Sequence, residues 1–425
     1  MRLVGALVLL LGPTTPARAQ VDLTRYVAIG DSLAAGYSNG SLLERHQATS
    51  VPALIARQGG ATDFQQPLIS EPGLPPELAL FSILPVAIAR KASDPGAPIN
   101  LNLPRPYNNL GVPGATALDA LETVDGGGRF YPLILRGFGS QAAQAIALNP
   151  TFITVWSGDS DVSPAALAGR AIDGVTLTPV DAFRLSYGEL ITTLASSGAR
   201  IVAANIGDPM TIPFVSAIKP YVVDPTTQQP VLVNGQTVPL LGPSGPLPAD
   251  SFVTLNASGL LAQGVGIPAS LGGTGEALPG DVVLDPGEVA IIRDHLDQDN
   301  QAIAQICAQA GVPVVDLHQL YNDVASGLNI GGVRVSSDFL TGGFFSYDGL
   351  HPTDLGYALM ANQWIATIDA NGGTLPLVDL SPALGVAAAA RAGVRAPSPF
   401  IFSEDAWQAL RSLFRWGRSS GRPAR

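Results

Sequence analysis

Five short apolar runs punctuate this chain, at residues 26–30, 107–110, 152–156, 200–205 and 312–316. The longer stretches between and after them carry helical periodicity, most clearly at 141–148, 181–197, 286–310 and 355–370. In the third of these, Leu284-Asp285-Pro286-Gly287-Glu288 supplies an N-cap, a proline at the first helical position and a glutamate at the third. Strands that alternate with helices predict a parallel sheet covered on both faces. The expected architecture is a three-layer α/β/α, flavodoxin-like fold with a five-stranded parallel sheet. Its site should lie at the carboxyl ends of the strands.

Two long insertions break the rhythm, at about 38–103 and 212–283. The second is rich in Pro, Gly, Val and Thr and holds Asn234-Gly235 between β-branched runs, a hairpin signal. It predicts a β-rich subdomain or lid near the site. With 46 % hydrophobic and 13 % charged residues, the chain can bury a large core, which excludes global disorder. The domain so defined spans 20–380.

Residues 1–19 have the form of an export signal: Arg2, an apolar stretch from Val4 to Leu11, and Ala17-Arg18-Ala19 before Gln20. They predict a protein that is periplasmic, on the cell surface or extracellular. The apolar run is too short for a bilayer span. The one cysteine, Cys307, sits in a helical pattern and reads as a buried thiol, so no internal disulfide can form. Residues 381–425 read as a linker and an amphipathic tail. There Trp407, Leu410, Leu413 and Phe414 share one helical face, edged by Arg411, Arg415 and Arg418. Such a helix can dock on its own domain or be a frayed terminus, the preferred readings here, or make peripheral contact with an anionic membrane. A net charge of −11 argues against nucleic acid as a partner.

Two short motifs carry the chemistry. Gly30-Asp31-Ser32-Leu33 follows the first apolar run, and Asp348-Gly349-Leu350-His351-Pro352 precedes the last helix. A serine hydroxyl becomes a nucleophile only with a base in reach, and the base needs an orienting acid. Of four histidines, His351 alone has an aspartate three residues before it. Taken by itself that pair fits a helix N-cap equally well. His295 reads as solvated and His46 as exposed, while His318 follows a strand and falls near the sheet's active edge. Asp294, Asp297 and Asp299 read as a solvated helix face, because no glycine stands where a calcium loop needs one. Gly36-Tyr37-Ser38-Asn39-Gly40 fits a nucleophile elbow in spelling only, since the strand ends earlier, at Gly30.

Taken together, these motifs resemble the GDSL or SGNH hydrolases, a family marked by four blocks. The first is Gly30-Asp31-Ser32-Leu33. The second is Asn108-Asn109-Leu110-Gly111-Val112-Pro113-Gly114-Ala115-Thr116. The third is Val155-Trp156-Ser157-Gly158-Asp159-Ser160-Asp161-Val162, and the last is Asp348-Gly349-Leu350-His351-Pro352. All four stand in the family's order across 26–370. The resemblance implies Ser32 as nucleophile, His351 as base and Asp348 as its orienting acid. It implies an oxyanion hole from the N–H groups of Ser32 and Gly114. The family's third donor is an asparagine, and here that position is Ser160, whose shorter hydroxyl is expected to substitute.

The expected activity is that of a secreted esterase or lipase-like hydrolase, acting through an acyl-enzyme with no metal and no cofactor. Its substrate is a small-molecule or lipid ester; lipid esters, acetylated sugars and aryl esters all suit the machinery. The long insertions favour a hydrophobic ester. The rival expectation is a surface-exposed binding protein on a degenerate hydrolase scaffold, motivated by Ser160 and the insertions.

Overall fold

The computed structural model describes residues 21–83, 86–126, 128, 130–385 and 400–414. The expected export signal lies outside them. The central sheet orders its strands Tyr26–Gly30, Phe152–Trp156, Arg200–Ala204 and Val314–Val315, all parallel. Every residue of the first two is buried, as an apolar strand covered by helices on both faces must be.

Of the five expected strands, the one at 107–110 is reduced to a bridge. Residue Asn109 pairs in parallel with Ala28. The Ala28 N–H donates to the Asn108 carbonyl at 2.8 Å, and the Leu110 N–H to the Ala28 carbonyl at 2.9 Å. Further pairing is taken over by side chains, since Asn108 Nδ2 donates to the Tyr26 carbonyl at 2.8 Å. Counting this bridge, the segments lie in the order second, first, third, fourth, fifth. That is the flavodoxin-like order, with its crevice beside the first strand.

Helix Pro286–Ala310 starts and stops where its cap chemistry demands. Asp285 and Glu288 form a reciprocal capping box, and Gly311 closes the end in the left-handed conformation, φ 66°. Its buried stripe runs Val289, Ile292, Leu296, Asp299, Ala302, Ile303 and Cys307. Asp299 is therefore in the core and not on a solvated face with Asp294 and Asp297. Its position in the helical repeat outweighs its charge, and burial raises its carboxyl to about 8. Cys307 is buried, 3.8 Å from the Tyr187 hydroxyl.

Residues 38–103 form the helices Glu44–Gln47 and Val51–Gln58 and the antiparallel pair Leu78–Ile83 and Val86–Arg90. Residues 212–283 hold three two-stranded ladders. They close a small core of their own around Val222, Leu240, Val253 and Val283. The hairpin at Asn234 and Gly235 turns with φ 53° and 77°, as a type I′ turn requires.

The tail docks. Phe400–Phe402 adds a parallel strand to Val86–Arg90, and helix Glu404–Arg411 follows, capped by Ser403. Its apolar face turns inward: Ala406, Ala409, Leu410 and Leu413 are buried, and Trp407 stacks on Phe214 at 5.8 Å. Arg415 and Arg418 lie outside the described residues. Among the described residues no helix is long and apolar enough to cross a membrane.

Candidate active site

The first strand ends against its neighbour so closely that only glycine fits. A Cβ on Gly30 would stand 2.1 Å from the Trp156 carbonyl oxygen. The chain then turns at Asp31, whose Oδ1 accepts the Leu33 N–H at 3.0 Å and caps the short helix Ser32–Ala35. Ser32 thus sits at the carboxyl end of the sheet.

His351 comes to it from the loop before helix Asp354–Ala370. Its Nε2 lies 2.9 Å from Ser32 Oγ, and its Nδ1 lies 2.9 Å from Asp348 Oδ2. All three side chains are buried. Asp348 Oδ1 also accepts the N–H groups of Leu350 and His351, at 2.9 and 2.8 Å. Burial works to raise this carboxyl, but the neighbouring imidazole and these hydrogen bonds outweigh it and hold it below the usual range. So the motif's aspartate forms the turn and partners the imidazole, while the cap of the following helix is Thr353, whose hydroxyl accepts the Gly356 N–H at 3.1 Å.

Ser160 lines the same cavity as Ser32 and His351. Its hydroxyl and its N–H both donate to Asp31 Oδ2, at 2.9 and 3.2 Å. To donate to an oxyanion, that hydroxyl must turn away from Asp31. Gly114 does not line the cavity. It follows Val112, whose N–H donates to the Gly30 carbonyl at 3.0 Å, and it lies beneath the backbone of Leu413.

The sequence model of the GDSL-like lipase/acylhydrolase family matches residues 26–364. The chain belongs to that family. Among curated proteins none matches it. Solved structures similar to this GDSL-family chain include a putative GDSL-like lipase from Parabacteroides merdae, at 11 % identity. It covers 83 % of this chain and 99 % of that one, with TM-score 0.38. A mutant acetyl-xylooligosaccharide esterase from Geobacillus Stearmophilus is 12 % identical, with 84 % and 100 % coverage and TM-score 0.38. A lipase/acylhydrolase from Enterococcus faecalis is 13 % identical, with 84 % and 99 % coverage and TM-score 0.33. Likeness at this level carries nothing about substrate.

Several residues of this GDSL-family site left no signal in the sequence. The Gly40 N–H donates to Asp348 Oδ2 at 2.7 Å, and a backbone donor has no residue-type signature. The Tyr37 ring packs 4.7 Å from the His351 ring. Ser38, in the elbow-like spelling, is buried and donates its hydroxyl to the Pro352 carbonyl at 2.8 Å. It ties the histidine loop down. His46 is buried rather than exposed, because it sits between two acids: Nδ1 is 2.8 Å from Asp354 Oδ1 and Nε2 is 3.5 Å from Glu77 Oε2. His318 heads helix Leu317–Ser326, and it is Tyr321 of that helix that reaches the cavity.

The cavity is small, ≈ 20 Å³, which is room for about one water. Leu33, Pro209, Ile212, Tyr321, Leu350 and Phe414 give it apolar walls. Its polar side holds two buried acids. Burial pushes the Asp31 carboxyl up to about 6 against the pull of its donors. Burial, then the charge of Asp31, drives Asp159 well above the ordinary carboxylate range, and Asp159 Oδ2 has no hydrogen-bond partner among the described residues.

Proposed function

We propose that this chain is an exported serine hydrolase of carboxylic esters that works through Ser32, His351 and Asp348 and an acyl-enzyme. One observation carries the reading: an unbroken line from Ser32 Oγ through His351 to Asp348, each link 2.9 Å. His351 Nε2 takes the hydroxyl proton as Ser32 Oγ attacks the ester carbonyl. Asp348 fixes the imidazole orientation and stabilises the imidazolium that forms. The N–H of Ser32 holds the oxyanion, with Ser160 turning in from Asp31; Gly114, which lies under Leu413 and outside the cavity, joins them once that cover moves. One such donor is worth roughly 2.7–4 kcal/mol of transition-state stabilisation. The tetrahedral intermediate collapses, and the alcohol leaves with the proton from His351. Water, deprotonated by the same imidazole, then releases the acid and restores Ser32. The apolar cavity walls favour a hydrophobic acyl group.

The test is hydrolysis of p-nitrophenyl acetate by the mature protein beside Ser32→Ala, together with mass analysis after a fluorophosphonate. The expected result is loss of activity in the variant and one adduct, on Ser32. A second reading, a binding protein on a degenerate scaffold, draws on the engagement of the Ser160 hydroxyl with Asp31. Equal rates for the two proteins would leave only that reading.

A further inference from the structure

The tail holds to the domain at five points that lead toward the site. Phe402 donates its N–H to Ser258 Oγ at 2.9 Å, while its strand pairs with Val86–Arg90, so the segment bridges the two insertions. Trp407 stacks on Phe214, whose N–H donates at 2.9 Å to the Gly349 carbonyl in the histidine loop. A Cβ on Gly40 would stand 3.3 Å from the Ala409 methyl, so the helix lies over the residue that holds Asp348. A Cβ on Gly114, φ +80°, would stand 1.9 Å from the Leu413 carbonyl oxygen. The next residue, Phe414, enters the cavity wall beside Ser32 and His351.

These contacts put a separate segment, outside the four-block core, across the mouth of the site. Beneath it the open space holds about one water. Even an acetyl group is larger than that, and an ester brings an alcohol as well. Strand Phe400–Phe402 is held by sheet hydrogen bonds, and Ala406, Ala409, Leu410 and Leu413 pack inward. A segment that covers a site in this way must move for substrate to enter.

We propose that residues 400–414 are a strap that closes the acyl pocket and sets which esters enter, with Phe414 as the residue that limits acyl length. The proposal rests on the reading of Ser32 as nucleophile. When the strap lifts at Leu413 and Phe414, the pocket opens along the Ile212 and Tyr321 walls, and Gly114 is uncovered.

The experiment compares the full chain with a stop codon in place of Ser412 and with Phe414→Ala. It measures kcat/KM for p-nitrophenyl acetate, butyrate and octanoate, with a thermal melt to confirm folding. The octanoate-to-acetate ratio should rise at least tenfold in the shortened protein and rise less in Phe414→Ala. An active, Ser32-dependent enzyme whose ratio does not move in Phe414→Ala, or falls, overturns the strap alone. That variant decides the matter if the shortened protein fails to fold. Activity that survives Ser32→Ala overturns the parent reading, and the strap with it.

Discussion

Asp348 uses both oxygens fully. Oδ1 takes the N–H groups of Leu350 and His351, and Oδ2 takes the imidazole and the Gly40 N–H. Those four bonds fill the acceptor sites of a carboxylate. An asparagine there keeps the shape but sets an amide N–H against one of these donors, so the imidazole loses its orientation or its tautomer. Asp348→Asn should lower kcat by about 10³–10⁴-fold with little change in KM, read from steady-state kinetics. At this scale the sequence was legible where chemistry needs a particular side chain: the three residues now in line were all marked by their motifs. It was illegible where a backbone group does the work, as at Gly40. It was silent on the partner of Ser160, because only the fold places the buried carboxylate of Asp31 within 2.9 Å of that hydroxyl.

The segment from Ser38 to Gln47 joins the front of the chain to its back. Asn39 donates its N–H to Ser346 Oγ at 3.0 Å and accepts the Tyr347 N–H at 3.1 Å. Three residues past Leu43, His46 clamps the same segment to the first turn of Asp354–Ala370 through Asp354, and to Glu77. Burial opposes its charge, but these acids win and raise its pKa above 6.5. The stability it adds is full below 6.5 and fades as pH climbs through the raised value. His46→Gln should therefore melt well below the parent at pH 5.5 and close to it at pH 8.5. Strands 26–30 and 152–156 were read to the residue, since both are buried along their whole length and, Thr154 apart, carry no polar side chain but the Tyr26 hydroxyl that bonds to it. The edge strand shrank from 312–316 to Val314–Val315, which has one neighbour only. Strand Phe400–Phe402 had no signal, because its partner lies some 300 positions earlier and Pro397 and Pro399 precede it.

Buried acids set the pH response of the whole molecule. Asp31, Asp161 and Asp299 are raised by burial to about 6, 7 and 8. Each binds its proton more tightly folded than unfolded, so each favours the native state at low pH and withdraws that support as pH rises to its folded value. The protein should melt higher at pH 5 than at pH 8. Among the described residues neither oxygen of Asp299 has a hydrogen-bond partner, and Asp299→Asn should narrow that gap, with its largest gain at pH 8, read by calorimetry. The α/β order was legible from alternation alone, and the family core from its blocks. The tail's share of the cavity wall was not, because Phe414 reaches it from outside the family blocks. Ser38, Asn39 and Gly40 are bonded to Pro352, Ser346 and Asp348, so the relay is assembled from opposite ends of the polypeptide. A cut in the exposed turn at Pro225 and Thr226 would yield two pieces, one carrying the hydroxyl and the other the imidazole. Neither could turn over an ester by itself, and activity would return only on their reunion.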